Sequence, residues 1–329
     1  MTPASHDALL AHAEHSIAVG SKSFAAASRL FDAQTRRSAV LLYAWCRHCD
    51  DVIDGQQAGH DAVVLTPQQA RERLATLQLQ TDAACAGRPV HDPAFAALQE
   101  VVRRHGVTRD EAFALLEGFA QDVSGCRYQT LDEVMGYCYH VAGVVGLMMA
   151  RVMGVHEQQV LDRACDLGLA MQLTNIARDI VDDARVGRCY LPATWLAEFQ
   201  VPAQALADPR HRRAVASMAQ RLVAEAEPYY ASAQAGLAAL PLRCAWAVAT
   251  AGQVYRRIGH KVMRAGTDAW DGRLSTTRLE KVGALLSGLW QALTRRLHRH
   301  PRRPAQLWQR PCGAVARHDE HAVAGAAVR

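Results

Sequence analysis

The sequence predicts an all-α fold, one helical bundle enclosing a central cavity. Alanine and leucine dominate and β-branched runs are few, which favours helices over strands. Apolar residues recur at helical spacing along most of the chain. Two short acidic clusters, Asp50-Asp51-Xaa-Xaa-Asp54 and Asp179-Xaa-Xaa-Asp182-Asp183, each close an apolar helical stretch. With 329 residues, 50% hydrophobic and 21% charged, the chain can bury a large core and is globular rather than disordered.

The elements follow in order. A helix from about Ser5 to Leu30 is broken near Gly20, and Ser21-Lys22-Ser23-Phe24 follows the break. Its hydroxyls and lysine suit phosphate oxygens, while on local sequence alone they read as an ordinary helix N-cap. A second helix from about Gln34 to Asp54 carries the first cluster and ends at Gly55. After a polar loop to Thr66 come helices over Pro67–Ala86, Asp92–His105 and Thr108–Asp122. Glu117 and Asp122 read as surface or supporting groups without a catalytic role.

Val134 to Val155 is the most apolar segment, yet it resembles a buried helix rather than a membrane span. Gly136, Gly143 and Gly146 within it cost helix propensity. A close helix neighbour or a long apolar ligand on that face explains them equally well. A long helix from about Gln158 carries the second cluster, followed by Gly187-Arg188-Cys189-Tyr190-Leu191-Pro192. Helices over Asp208–Leu237, with Pro228 as a bend, Pro241–Ala265 and Thr277 to about His298 complete the bundle. Residues 1–311 read as one domain and 312–329 as a disordered tail.

Asp50 and Asp54 lie four apart and share a helix face. Gln172, Asn175, Asp179 and Asp183 form a second such stripe. Both put carboxylates near helix C-termini, where the helix dipole disfavours negative charge. Hard divalent cations take oxygen ligands and bridge carboxylates to substrate phosphates. Solvated helix ends are the ordinary fate of aspartate. Two similar clusters, each with an arginine (Arg47, Arg178) in an apolar helix, favour Mg²⁺ and a diphosphate instead. An allylic diphosphate ionises when its leaving group is neutralised, and its carbocation needs a dry cavity with aromatic faces. Tyr43, Tyr137 and Tyr255 are candidates for those faces.

Other classes are disfavoured. No Gly-rich phosphate loop, dinucleotide fingerprint or Ser-His-acid spacing stands out. The net charge of +5 comes largely from arginines near the C-terminus and does not read as a nucleic-acid surface. The nine cysteines are scattered, so free thiols in a reducing compartment are expected, and Cys46-Xaa-Xaa-Cys49 reads as core. The first twenty residues lack a basic region followed by an apolar core, which predicts a cytoplasmic location. No segment is expected to span a bilayer. Arg295 to Arg310 contains six arginines and no acid, and suits weak, salt-sensitive contact with an anionic membrane.

Ser21-Lys22-Ser23-Phe24, the Tyr43–Asp54 segment, the Tyr137–Gly146 segment, the Gln172–Asp183 segment and Gly187–Pro192 together resemble the bacterial phytoene synthases, within the squalene and phytoene synthase family. The likeness covers about residues 8 to 311. It implies a single-domain isoprenoid synthase fold and head-to-head joining of two geranylgeranyl diphosphates through prephytoene diphosphate. It implies Mg²⁺ or Mn²⁺ on Asp50, Asp54, Asn175, Asp179 and Asp183, and no NADPH. Ser21, Ser23, Phe24, Arg47, Val141, Gly146, Gln172, Asn175, Arg178 and Tyr190 would bind substrate, with Arg273 less directly placed. Tyr43, Tyr137 and Tyr255 would line the reacting centre. Association with other isoprenoid or carotenoid enzymes is a further expectation. The alternatives are a squalene or dehydrosqualene synthase using farnesyl diphosphate, a head-to-tail prenyl synthase, or a non-enzymatic helical assembly protein of the same family.

Overall fold

The computed structural model describes residues 9–17 apart from 12, 27–55, 65–297 and 302–311. Ser21, Ser23, Phe24, most of the loop before Thr66 and the tail 312–329 lie outside them. Among the described residues there are helices and turns and no strand. After a helical run over 9–17, the helices are α1 (Ala33–Asp54), α2 (Pro67–Cys85), α3 (Pro93–His105), α4 (Arg109–Ser124) and α5 (Leu131–Cys138). A π-helical turn, Tyr139–Gly143, joins α5 to α6 (Val144–Val152). Then come α7 (Gln158–Arg185), α8 (Ala193–Glu198), α9 (Arg212–Gly236), α10 (Leu242–Ala265) and α11 (Arg278–Thr294).

Helix boundaries follow local chemistry. The Asp32 carboxylate accepts from the Gln34 and Thr35 amides and starts α1. Thr66–Gln69 and Thr108–Glu111 form reciprocal capping boxes at α2 and α4. Gly55 ends α1 at φ 65°, a left-handed conformation that favours glycine. The end of α7 is a Schellman turn. The Gly187 amide, at φ 81°, donates to Ala184 O, and the Arg188 amide donates to Asp183 O. That turn reverses the chain and brings Arg188 back within electrostatic reach of Asp183.

The 28-residue α7 is the central element, about 42 Å long at 1.5 Å per residue. It packs along α9 and is flanked by α6, the π turn and α10, while α11 rests on α10. One contiguous apolar core runs from Leu9 to Leu307 and includes Trp45, Phe95, Leu116, Met148 and Leu173. The run Leu131–Val152 is long and apolar enough to cross a membrane by length and composition, contrary to the expectation that no segment is. It is built into the protein instead, 56% buried, with the π turn inside it.

Of the glycines of that run, Gly143 and Gly146 resolve in favour of close packing, whereas a Cβ on Gly136 would meet nothing within 4 Å. A Cβ on Gly146 would collide with Ala164 O, and one on Gly143 would come within 2.9 Å of Cys165 Sγ. On α7, a Cβ on Gly168 would collide with Ala142 O. These three glycines let the π turn and α6 lie directly on α7. The helix does wall the cavity, but through Val141, Ala142, Val145 and Met149 as well as the Gly146 backbone.

The C-terminal segment also differs from expectation. Rather than a free basic stretch, 302–311 folds back on the core. The Arg303 guanidinium donates to both oxygens of the fully buried Asp166, at 2.9 and 2.8 Å. Arg310 donates to Asp162 at 2.7 Å, Leu307 is buried, and the Trp308 amide donates to the Tyr229 hydroxyl. Arg295 caps local carbonyls at Ala292 and Leu240.

Candidate active site

The two acidic clusters meet through the chain that follows α7. Arg188 donates to Asp54 Oδ1 at 2.6 Å and lies within electrostatic reach of Asp50, Asp122 and Asp183. It thereby joins the C-terminal ends of α1 and α7, two helices far apart in sequence. Burial alone would lower its pKa, but the Asp54 bond and the neighbouring acids raise it, so its charge is fixed. Within α1, Arg47 pairs with Asp50 at 2.8 Å and Asp51 at 2.9 Å. Within α7, Arg178 grips both oxygens of Asp179. The arginines thus offset the unfavourable placing of carboxylates at helix C-termini.

The offset is incomplete. Burial, then repulsion from Asp54, pushes the Asp50 carboxyl up to about 6. Burial, then repulsion from Asp179, pushes Asp183 up to about 7. Both groups gain from a further cation. The Asn175 amide nitrogen donates to Gln172 Oε1 at 3.3 Å, while its Oδ1 is buried without a hydrogen-bond partner among the described residues. An orphaned acceptor one turn before Asp179, lining the cavity, fits a hard divalent ion. No group of three or more His, Cys, Asp or Glu side chains among the described residues is placed to hold a metal by itself. The oxygen donors that could hold such an ion are carboxylates on two helices plus Asn175.

An aromatic shelf lies beside the carboxylates. Tyr137 and Tyr190 stack at 4.8 Å between ring centroids, and Tyr128 packs against both. Their hydroxyls converge on Asp122, with Tyr190 donating to Oδ1 at 2.8 Å and Tyr137 to Oδ2 at 3.2 Å. Burial raises the Asp122 pKa, and burial with the nearby Asp122 charge raises both tyrosines, so their phenols stay protonated. Asp122, which the sequence reads as a surface or supporting group without a catalytic role, stands at the centre of this shelf through residues 15 and 68 positions away. The partner of Arg188, Asp54, lies 134 positions away in sequence.

Behind this polar mouth runs an apolar cavity of about 440 Å³. Gln172, Asn175 and Tyr255 line it on the carboxylate side, and Val141, Val145, Gly146, Met149, Leu167 and Met171 continue it between helices. Tyr255 also lies within electrostatic reach of Arg178. Tyr43 is half-buried near Arg47 and Asp50, and burial pushes its phenol up to about 12. Neither Tyr43 nor Tyr137 is part of the cavity lining. Arg273 is exposed in the loop before α11, with no hydrogen bond or ion pair to the carboxylates among the described residues. Cys46 and Cys49 are free thiols, and burial keeps both neutral.

Comparison with known proteins shows the family and the fold. The squalene/phytoene synthase family profile matches residues 17–280. A 15-cis-phytoene synthase from Pantoea ananas is 60% identical over 303 residues, covering 92% of this chain and 98% of that protein. A phytoene synthase from Rhodobacter capsulatus is 39% identical over 295 residues, covering 87% and 84%. Among solved structures, a dehydrosqualene synthase in complex with ligand superimposes with a TM-score of 0.77 at 27% identity, covering 86% of this chain and 96% of that one. A squalene synthase from Alicyclobacillus acidocaldarius shares the fold, with a TM-score of 0.71 at 20% identity over 80% and 97%.

Proposed function

The chain belongs to the squalene/phytoene synthase family, and from that premise we propose that it joins two geranylgeranyl diphosphates head to head to give 15-cis-phytoene. It is a prenyl-transferring enzyme with the all-α isoprenoid synthase fold. The observation that carries the reading is the meeting of two aspartate-bearing helix ends, bridged by Arg188, at the mouth of an apolar cavity.

In the first half-reaction one diphosphate leaves its allylic carbon. The other substrate's double bond captures the cation, and loss of a proton closes the cyclopropane of prephytoene diphosphate. In the second, that diphosphate leaves, the carbon skeleton rearranges, and loss of a proton gives phytoene. A divalent ion, Mg²⁺ or Mn²⁺, would be held by Asp50, Asp54, Asn175, Asp179 and Asp183, and supplies charge neutralisation for the departing diphosphate. Arg47, Arg178 and Arg188 stand among these carboxylates and are placed to take phosphate oxygens as they arrive. The buried Arg47 Nε, without a hydrogen-bond partner among the described residues, is a further donor. Ser21 and Ser23, outside the described residues, complete the proposed phosphate contacts, and Phe24 beside them would contact the apolar part of the substrate. The apolar lining excludes water that would quench a carbocation, and the Tyr255 face stands where positive charge passes. Tyr137 and Tyr190 already donate to Asp122 and are held neutral, which makes them poor proton acceptors. Released diphosphate is the better acceptor for the protons lost.

Residues 1–311 are read as one domain, working in the cytoplasm at the inner face of an anionic membrane, with other isoprenoid enzymes as partners and no NADPH. The second reading is a squalene or dehydrosqualene synthase using farnesyl diphosphate, which the dehydrosqualene synthase likeness keeps in view. Steady-state kcat/KM for the two diphosphates separates them. Preference for geranylgeranyl diphosphate is expected; preference for farnesyl diphosphate would select the second reading.

A further inference from the structure

α11 is built inside out for a helix on a water-soluble protein. Its inward face is small: Ala284, Gly288 and Ala292 are buried, and a Cβ on Gly288 would collide with Thr250 of α10. The Trp246 indole fastens the pair by donating to Leu285 O at 2.9 Å. Its large apolar side chains point outward. Leu279, Val282, Leu286, Trp290, Leu293 and Leu297 are all exposed, Leu286 by 65% and Trp290 by 69%. The five from Leu279 to Leu293 lie within α11 and share one stripe about 21 Å long, and Leu297 follows in the turn beyond it. From Val282 to Leu293 every exposed α11 position is apolar. Soluble monomers rarely leave such a contiguous patch facing water.

Cations flank the stripe. At its N-terminal end Arg256, Arg257, His260, Lys261 and Arg264 line a shallow cleft that holds one acid, Glu280, already paired with Lys261. Glu227 answers Arg256 and His260 at the cleft edge. At the other end Arg296 is exposed. An apolar ridge between basic ends matches an anionic bilayer, with side chains in the acyl boundary and cations at the head groups. A second copy docked by the same face in antiparallel register would bring basic end to basic end. The inner side of α11 also walls the cavity, through Lys281 and Leu285.

We infer that the outer face of α11, with the basic cleft of α10, is the surface by which this protein lies on an anionic lipid bilayer, and that the helix wall between cavity and lipid is where an apolar product leaves. The product-exit half rests on the proposed hydrocarbon product; the docking half does not.

The test is co-sedimentation of the full-length protein, without substrate, with phosphatidylcholine vesicles and with vesicles containing phosphatidylglycerol. Wild type should bind the anionic vesicles, and less so at high salt. Leu286→Glu/Trp290→Glu should lower the partition coefficient at least tenfold while keeping its thermal melt and its turnover on detergent-dispersed substrate. Trp290→Gln alone, a milder change, should lower it several-fold. Equal partitioning of wild type and both variants, or no binding of wild type, would overturn the inference. So would variants that only convert a dimer to a monomer in sedimentation analysis, since the face would then belong to a second copy. Vesicle binding by a protein that makes no hydrocarbon would leave the docking surface standing and remove the functional reading.

Discussion

Asp50 and Asp183 are the carboxyls whose surroundings most resist ionisation, held at about 6 and about 7 by burial and like charge. A raised folded-state pKa means the folded protein binds more protons than the unfolded chain between the ordinary aspartate value and the raised one. That contribution to stability is present in full at low pH and is lost as pH rises through about 6 to 7. In chelator, the melting temperature of wild type should therefore fall between about pH 4 and pH 7 more steeply than that of Asp183→Asn. Added Mg²⁺ should flatten the difference by favouring the ionised form. Identical slopes for the two proteins in chelator would remove the strain assigned to Asp183. The catalytic counterpart is that Asp50→Asn and Asp179→Asn each lower turnover by on the order of 100-fold or more with melts close to wild type. Near-normal turnover in either variant would take that residue out of the ion-binding set. The aspartates, Asn175 and the paired arginines were legible in sequence because helical spacing of three and four puts them on one face. Asp122 and Arg188 were not, since each acquires its meaning from partners many helices away.

Helices α1 and α7, and the glycine that ends each, could be read from sequence because capping and terminating residues act locally. Which face of the α5–α6 run meets α7 could not, since two readings of Gly143 and Gly146 predict the same local pattern. The collision of a Gly146 Cβ with Ala164 O decides it. Gly146→Phe should overpack the α6–α7 contact, lower stability by at least about 1–3 kcal/mol, and reduce activity on both prenyl diphosphates together. Met149→Phe, on a side chain that lines the cavity, should instead reduce kcat/KM for geranylgeranyl diphosphate more than for farnesyl diphosphate at near-normal stability. A stable Gly146→Phe protein would refute the packing account. The folded-back 302–311 segment carries a second element-scale prediction. Arg303→Met leaves the buried Asp166 with the Ser232 hydrogen bond but without its ion-pair partner, which should cost about 3–5 kcal/mol. Adding Asp166→Leu should recover much of that loss in the same denaturant titration. Arginine-rich composition suggested contact with an anionic membrane here; only tertiary contact reveals two of those arginines as internal ion-pair partners.

The whole molecule is one core closed around α7, with charge at one end of a cavity and hydrocarbon surface along it. That polarity separates an ionising diphosphate from water and gives the long apolar remainder somewhere to lie. The fold class and the family were readable from helix periodicity and five matching segments. The inverted α11 was not, because its outward face is apolar only relative to where α10 lies. The most direct test of the account is product identification by mass and absorbance after the purified protein is given geranylgeranyl diphosphate and Mg²⁺ without nicotinamide. The account predicts a C40 hydrocarbon with the absorbance of phytoene, and none when chelator is in excess. No such hydrocarbon from a folded, metal-supplied protein, or undiminished turnover in chelator, would contradict it.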